Sequence, residues 1–102
     1  MTETMEQLIA ETFLPHVGEV FHVIVSDTHE LRVALTEVAR LPGGGLPPLR
    51  SEPFALVFHA KAGATLPQGM YRIEHPALHP FDCFLVPLGP DDHGVRFEAI
   101  YT

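Results

Sequence analysis

Residues 31–40 read LRVALTEVAR, and the order of apolar and polar side chains in them decides the fold class. Leu31, Val33 and Leu35 alternate with Arg32, Ala34 and Thr36, the period-two pattern of a strand with one buried face. The phase then slips, with Val38 rather than Glu37 taking the inner position, which predicts a β-bulge or sharp bend. Upstream, VFHVIVS (20–26) predicts a first strand, joined to the second through the polar turn Ser26 to Glu30.

Downstream the pattern repeats. FALVFH (54–59), MYRIEH (70–75), FDCFLVPL (81–88) and VRFEAIY (95–101) predict four further strands. Leu66-Pro67-Gln68-Gly69 predicts a type I turn ending in a left-handed residue. Pro87 predicts an edge or a bulge. Pro90-Asp91-Asp92-His93-Gly94 predicts a hairpin with Gly94 in the left-handed position. Pro42 to Pro48 (PGGGLPP) has linker composition but lies between strands, so it predicts a long loop and not a domain boundary.

Ahead of the strands, Thr4 to Phe13 predicts a short helix. Thr4 and Gln7 have capping-box spacing, while Met5, Leu8, Ile9 and Phe13 share one side. Pro15 ends it. So short a helix must pack on something to persist, and an end or edge of a sheet is its expected seat.

Several strands are apolar on both sides, and the connections are short. Together these predict a mostly β fold: about six antiparallel strands forming a small barrel (Sm-like or similar) or a tight sandwich. The short N-terminal helix completes a single domain over residues 1–102.

The charge excludes some functions. Thirteen acidic residues face six basic ones, for a net charge of −7 with neutral histidines. The five arginines and Lys61 are dispersed, so neither nucleic acid nor an anionic membrane is an expected partner. No apolar run reaches the roughly 20 residues of a membrane-spanning helix. Residues 1–13 carry acidic and no basic groups, unlike a secretory or mitochondrial leader, and a cytoplasmic location is expected. The lone cysteine, Cys83, has no partner for an internal disulfide.

FALVFHA, LPQGMYRIEHPALHPFDCFLVPLGPDDHG and VRFEAIYT resemble a small bacterial family of uncharacterised domains of about this length. The resemblance is closest over the second half of the chain. It implies a neighbourhood of phage-tail-collar-like genes, and with it a structural or assembly role in a tail-derived particle. The shared motifs are turn and core residues and imply no chemistry.

Seven histidines are the main candidates for a site: His16, His22, His29, His59, His75, His79 and His93. None falls in an HExxH motif. Gathering His22, His59 and His75 from neighbouring strands would give a cupin-like metal site. The alternative places them as ordinary polar positions on outer faces and in loops. His59 favours that alternative, being out of phase with Phe54, Leu56 and Phe58.

Cys83 is in phase with Phe81 and Leu85, which predicts a buried thiol. Among the carboxylates are Glu74, Asp82, Glu98, Asp91 and Asp92, the last two framed by turn residues. Arg72 with Glu74, and Arg96 with Glu98, predict a cross-strand charge ladder if their strands are neighbours. Ser26 and Ser51 lack a nucleophile elbow, and Gly43 to Gly45 lacks the remainder of a phosphate loop.

No catalytic, cofactor or metal residue is therefore assigned. The expectation is a non-enzymatic structural or protein-interaction module, partnered by another protein or by itself in a homo-oligomer. Its expected contact surfaces are an edge strand and the loop at 42–50. The alternative is a small-ligand or metal-binding β-barrel using strand histidines and Tyr71, with a cupin-like enzyme ranked last.

Overall fold

The computed structural model describes residues 8–41 and 53–101. Six strands follow one short helical segment: β1 (Val20–Ser26), β2 (His29–Arg40), β3 (Phe54–Ala60), β4 (Gly69–His75), β5 (Leu78–Asp91) and β6 (Gly94–Tyr101). All pairings are antiparallel. The strand order β1-β2-β3-β6-β5-β4 returns to β1, so one sheet closes in a ring. Two three-stranded meanders are joined along both sides, through β3–β6 and β1–β4.

Closure follows from the sequence pattern. A strand apolar on its inner face and largely apolar on its outer one has no good edge position, and a ring removes edges altogether. The expected edge strand is thus corrected: every strand has two neighbours.

Bulges supply the curvature. Thr36 is the extra residue opposite Leu35↔Phe58 and Glu37↔Val57, where the phase slip predicts it. Leu88 is another, between Pro87↔Phe97 and Gly89↔Arg96, beside the proline that predicts it. β5 runs well beyond the expected residues 81–88, because its prolines sit where the ladder is irregular or just begun.

The inside of the ring is filled with side chains. Phe21, Val23, Leu35, Leu56, Phe58, Ile73, Leu85 and Phe97 are fully buried, and Cys83 is nearly so. Each buried Phe contributes on the order of 1.5–3 kcal/mol relative to exposure.

Among the described residues the N-terminal helix is a single turn, α1 (Ala10–Phe13), followed by a 3-10 turn at Leu14–His16 that contains Pro15. The expected cap at Thr4 lies outside the described residues. Thr12 Oγ1 accepts a hydrogen bond from the Ile9 N–H instead. Phe13 enters one end of the ring, its ring centroid 5.3 Å from Phe81 and 5.8 Å from Phe54. The helix covers an end of the sheet, as its length requires.

One turn differs from expectation. Gly69 is not left-handed but opens β4; the left-handed glycine of that connection is Gly63, with φ of 91°. Here Ala64 N–H bonds the Lys61 carbonyl at 3.2 Å. Gly94 is left-handed as expected, at φ of 129°. A Cβ there would collide with the Ala60 carbonyl oxygen, so only glycine lets the β5–β6 hairpin lie this close to the end of β3.

Candidate functional site

The three histidines of the cupin-like reading do not gather. His22 bonds Glu30 through Nδ1 at 2.7 Å on the outer side of β1 and β2. His59 lies between Thr36 and Asp91. His75 is buried against Phe21, with ring centroids 4.5 Å apart. His22 and His75 do share one shallow depression with Glu74, Pro76 and Pro80.

A different trio meets at the closed end. The Gly18 N–H bonds the Leu35 carbonyl, and the Leu35 N–H bonds the Glu19 carbonyl, at 2.7 and 3.0 Å. This extension of β1 aims the Glu19 side chain at His75. Glu19 Oε1 accepts from His16 Nδ1 and from His75 Nε2, each at 2.8 Å. The His16 bond first, and the His75 bond second, hold the Glu19 carboxyl below its usual range.

The ligand atoms of His16, Glu19 and His75 lie within 4.8 Å of one another, close enough for one metal ion. The far side of His75 opposes that use. Its Nδ1 accepts the Ala77 N–H at 3.0 Å. With Nδ1 acting as acceptor, the ring proton of the neutral imidazole sits on Nε2 and is donated to Glu19. A metal on Nε2 needs the other tautomer, whose Nδ1–H would face the Ala77 N–H. The trio fits a hydrogen-bonded clasp better than a metal centre.

The second cluster joins β2, β3 and the β5–β6 hairpin. His59 Nε2 bonds Asp91 Oδ2 at 2.9 Å, and His59 Nδ1 is 2.8 Å from Thr36 Oγ1. Asp91 Oδ1 also accepts the His93 N–H at 2.8 Å, the turn bond its position predicts. The hydrogen bond from His59 and then that from the His93 backbone lower the Asp91 pKa.

Carboxylate, imidazole and hydroxyl in line are the parts from which a nucleophile-activating triad is built. The Thr36 hydroxyl, however, also reaches the Val57 carbonyl at 3.1 Å, which competes with His59 for its one proton. The bulge that exposes Thr36 is legible in the sequence; its meeting with His59 and Asp91 is not.

Burial pushes the Cys83 thiol up to about 12, so it is protonated and unreactive at neutral pH. Tyr71, the other inward candidate, donates its hydroxyl to the Pro67 carbonyl at 2.7 Å. The expected charge ladder does not form, because β5 separates β4 from β6. Arg72 instead reaches Glu74 on its own strand at 3.5 Å, and Arg96 reaches Asp91 at 3.6 Å.

The outer face carries the largest departure from an ordinary surface. Met70, Phe84 and Ile100 are 65%, 45% and 54% exposed. Met70 and Phe84 are register partners across β4 and β5. Val86 pairs with Glu98, so continuing that register sets Phe84 beside Ile100 on β6. Ile100 in turn pairs with Ala55, and Ala55 with Ala39. One apolar row thus crosses β4, β5, β6, β3 and β2, exposed at Met70, Phe84 and Ile100 and buried at Ala55. The loop at 42–50, the other expected contact surface, lies outside the described residues.

No helix among the described residues is long and apolar enough to cross a membrane. Searches of curated proteins and of solved structures returned no match. A family model described as a domain of unknown function, DUF6916, matches residues 8–101, and with nearly the whole chain covered the protein belongs to that family.

Proposed function

We propose that this domain is a non-enzymatic protein-interaction module that docks through the outer face of β4, β5 and β6. The row Met70, Phe84 and Ile100 carries this reading. Three large apolar side chains at successive lateral positions on the ring stay exposed among the described residues, and such patches mark contact surfaces. The filled interior leaves the ligand-binding barrel less support, since the inward groups pack on one another. The clusters around Glu19 and Asp91 spend their polar atoms on one another.

The setting we propose is assembly within a tail-derived particle, on the strength of the sequence resemblance alone. The domain's location in such a particle is tested with its partner.

A photo-crosslinking residue in place of Phe84, in the native bacterial cell, should couple to one discrete protein. The purified pair should then bind, and Met70→Ser with Phe84→Ser should weaken them roughly tenfold or more. Unchanged affinity in that variant overturns the reading. A particle structural protein as the coupled partner supports the setting, and an unrelated enzyme overturns it.

A further inference from the structure

The rows that flank the apolar stripe differ in charge. Two residues along the strands lies the outer row Val86, Glu98, Val57 and Glu37, linked by the register pairs Val86↔Glu98, Val57↔Glu98 and Glu37↔Val57. On the other side Asp82 stands opposite Arg72. Glu37, Asp82 and Glu98 make no ion pair among the described residues, whereas Arg72, Arg96 and Arg40 are already engaged by Glu74, Asp91 and Glu11. The stripe is therefore bordered on one side by Glu98 and Glu37, which form no ion pair among the described residues, and on the other by Asp82 opposite Arg72.

We infer that the stripe accepts an amphipathic helix whose apolar face is bordered by Lys or Arg on the side that meets Glu98 and Glu37. This rests on the interaction-module reading and gives the chemistry of its partner.

The dimensions suit a helix. Met70, Phe84 and Ile100 span two inter-strand spacings, about 10 Å, which two helical turns cover. The flanking rows lie two residues away along the strands, about 7 Å. Side chains at the borders of a helix of roughly 10 Å diameter stand above those rows. An added strand is disfavoured at the stripe itself, where β4 already pairs with β5 and β6 with β3.

A second copy of this chain is disfavoured as the occupant. Two such faces would bring Glu37 and Glu98 against like charges, on molecules that each carry −7.

The test uses two fluorescein-labelled peptides of about 18 residues, one Leu/Lys and one Leu/Glu, each helical with a Leu face. The binding of each to the full chain is followed by anisotropy. Three paired variants are compared: Met70→Ser with Phe84→Ser for the stripe, Glu37→Gln with Glu98→Gln for the border, and Asp27→Asn with Asp92→Asn for charge elsewhere. All six positions are solvent-accessible, and a thermal melt of each variant checks its fold.

The Leu/Lys peptide should bind and the Leu/Glu peptide should not. The stripe variant should bind roughly tenfold more weakly and the border variant about threefold. The Asp27 and Asp92 variant should bind as the parent does. Equal loss in the border and distant variants overturns the proposal, since bulk charge then drives binding. Equal binding of both peptides overturns the charge assignment and leaves apolar docking standing. No binding of either overturns the helix, while the crosslinking result at position 84 judges the interaction reading separately.

Discussion

His75 Nε2 donates to Glu19 Oε1 at 2.8 Å across 56 positions of sequence, tying the turn after β4 to the entry of β1. The same oxygen takes His16 Nδ1, and the His16 and His75 rings lie 4.7 Å apart. This clasp closes the end of the ring where Phe13 enters. Replacing His75 by Ala removes both its hydrogen bonds and its packing on Phe21. The expected cost is about 2–3 kcal/mol, read as a lower urea midpoint at an unchanged slope.

The clasp also sets a pH dependence. Glu19 and Asp91 have carboxyl pKa values lowered by hydrogen bonds from histidines, starting with His16 and His59 respectively. A carboxyl lowered on folding stabilises above its unfolded value, here near 4.5 for Glu and 3.8 for Asp, and that stability is lost as pH falls through the folded value. Both groups are exposed, so the effect is a modest one. The double variant Glu19→Gln with Asp91→Asn should have a lower urea midpoint than the parent at pH 6. The gap should narrow steadily below pH ~4.5, and a gap that stays constant to pH ~2.5 would remove titration as the cause.

Gly94 offers a sharper test of backbone geometry. Alanine there must adopt φ near 129° and also displace the Ala60 carbonyl. Gly89→Ala is the control, because it too is left-handed, at φ of 96°, yet nothing lies within 4 Å of its Cβ position. The control should cost about 1 kcal/mol and Gly94→Ala at least about 2 kcal/mol more. Equal midpoints for the two would mean the hairpin shifts freely away from β3.

What is legible in the sequence is local. The Thr36 bulge shows as a phase slip within one strand, and the need for Gly94 shows in its Asp-Asp-His-Gly turn. The pairing of β1 with β4 and of β3 with β6 joins strands with no short connection, and period-two patterns are silent on that choice. The expected ladder of Arg72, Glu74, Arg96 and Glu98 fails for this reason, since it needs β4 and β6 to be neighbours. The apolar outer row is hidden in the same way, because Met70, Phe84 and Ile100 align only once β4, β5 and β6 are in register. His59 and His75 likewise look like ordinary polar positions until closure brings Asp91 and Glu19 to them.

Cys83 should be inert in the native state. Its thiol is buried, with a pKa pushed up to about 12, and it faces the core between Phe81 and Leu85. A colorimetric disulfide reagent at pH ~8 should react with it only at the rate of unfolding, and instantly in denaturant. Cys83→Ser buries a hydroxyl and should destabilise by about 1–3 kcal/mol more than Cys83→Ala if that hydroxyl finds no partner. Fast native labelling would place the thiol at the surface and overturn the packing described for β5.

Solubility should follow the histidines. Seven of them match the net charge of −7, so the molecule approaches neutrality when they are protonated and its carboxylates are not. Glu19 and Asp91, with lowered pKa values, help keep the negative side of that balance in mild acid. Repulsion between molecules is then least near pH ~5, while the apolar row of Met70, Phe84 and Ile100 stays exposed. Light scattering should rise to a maximum there and fall again below pH ~4 as the carboxylates titrate. Met70→Ser with Phe84→Ser should flatten that maximum without moving its pH, because the variant removes the adhesive surface and leaves the charge unchanged. A maximum that persists at full height in the variant would assign the association to some other face of the ring.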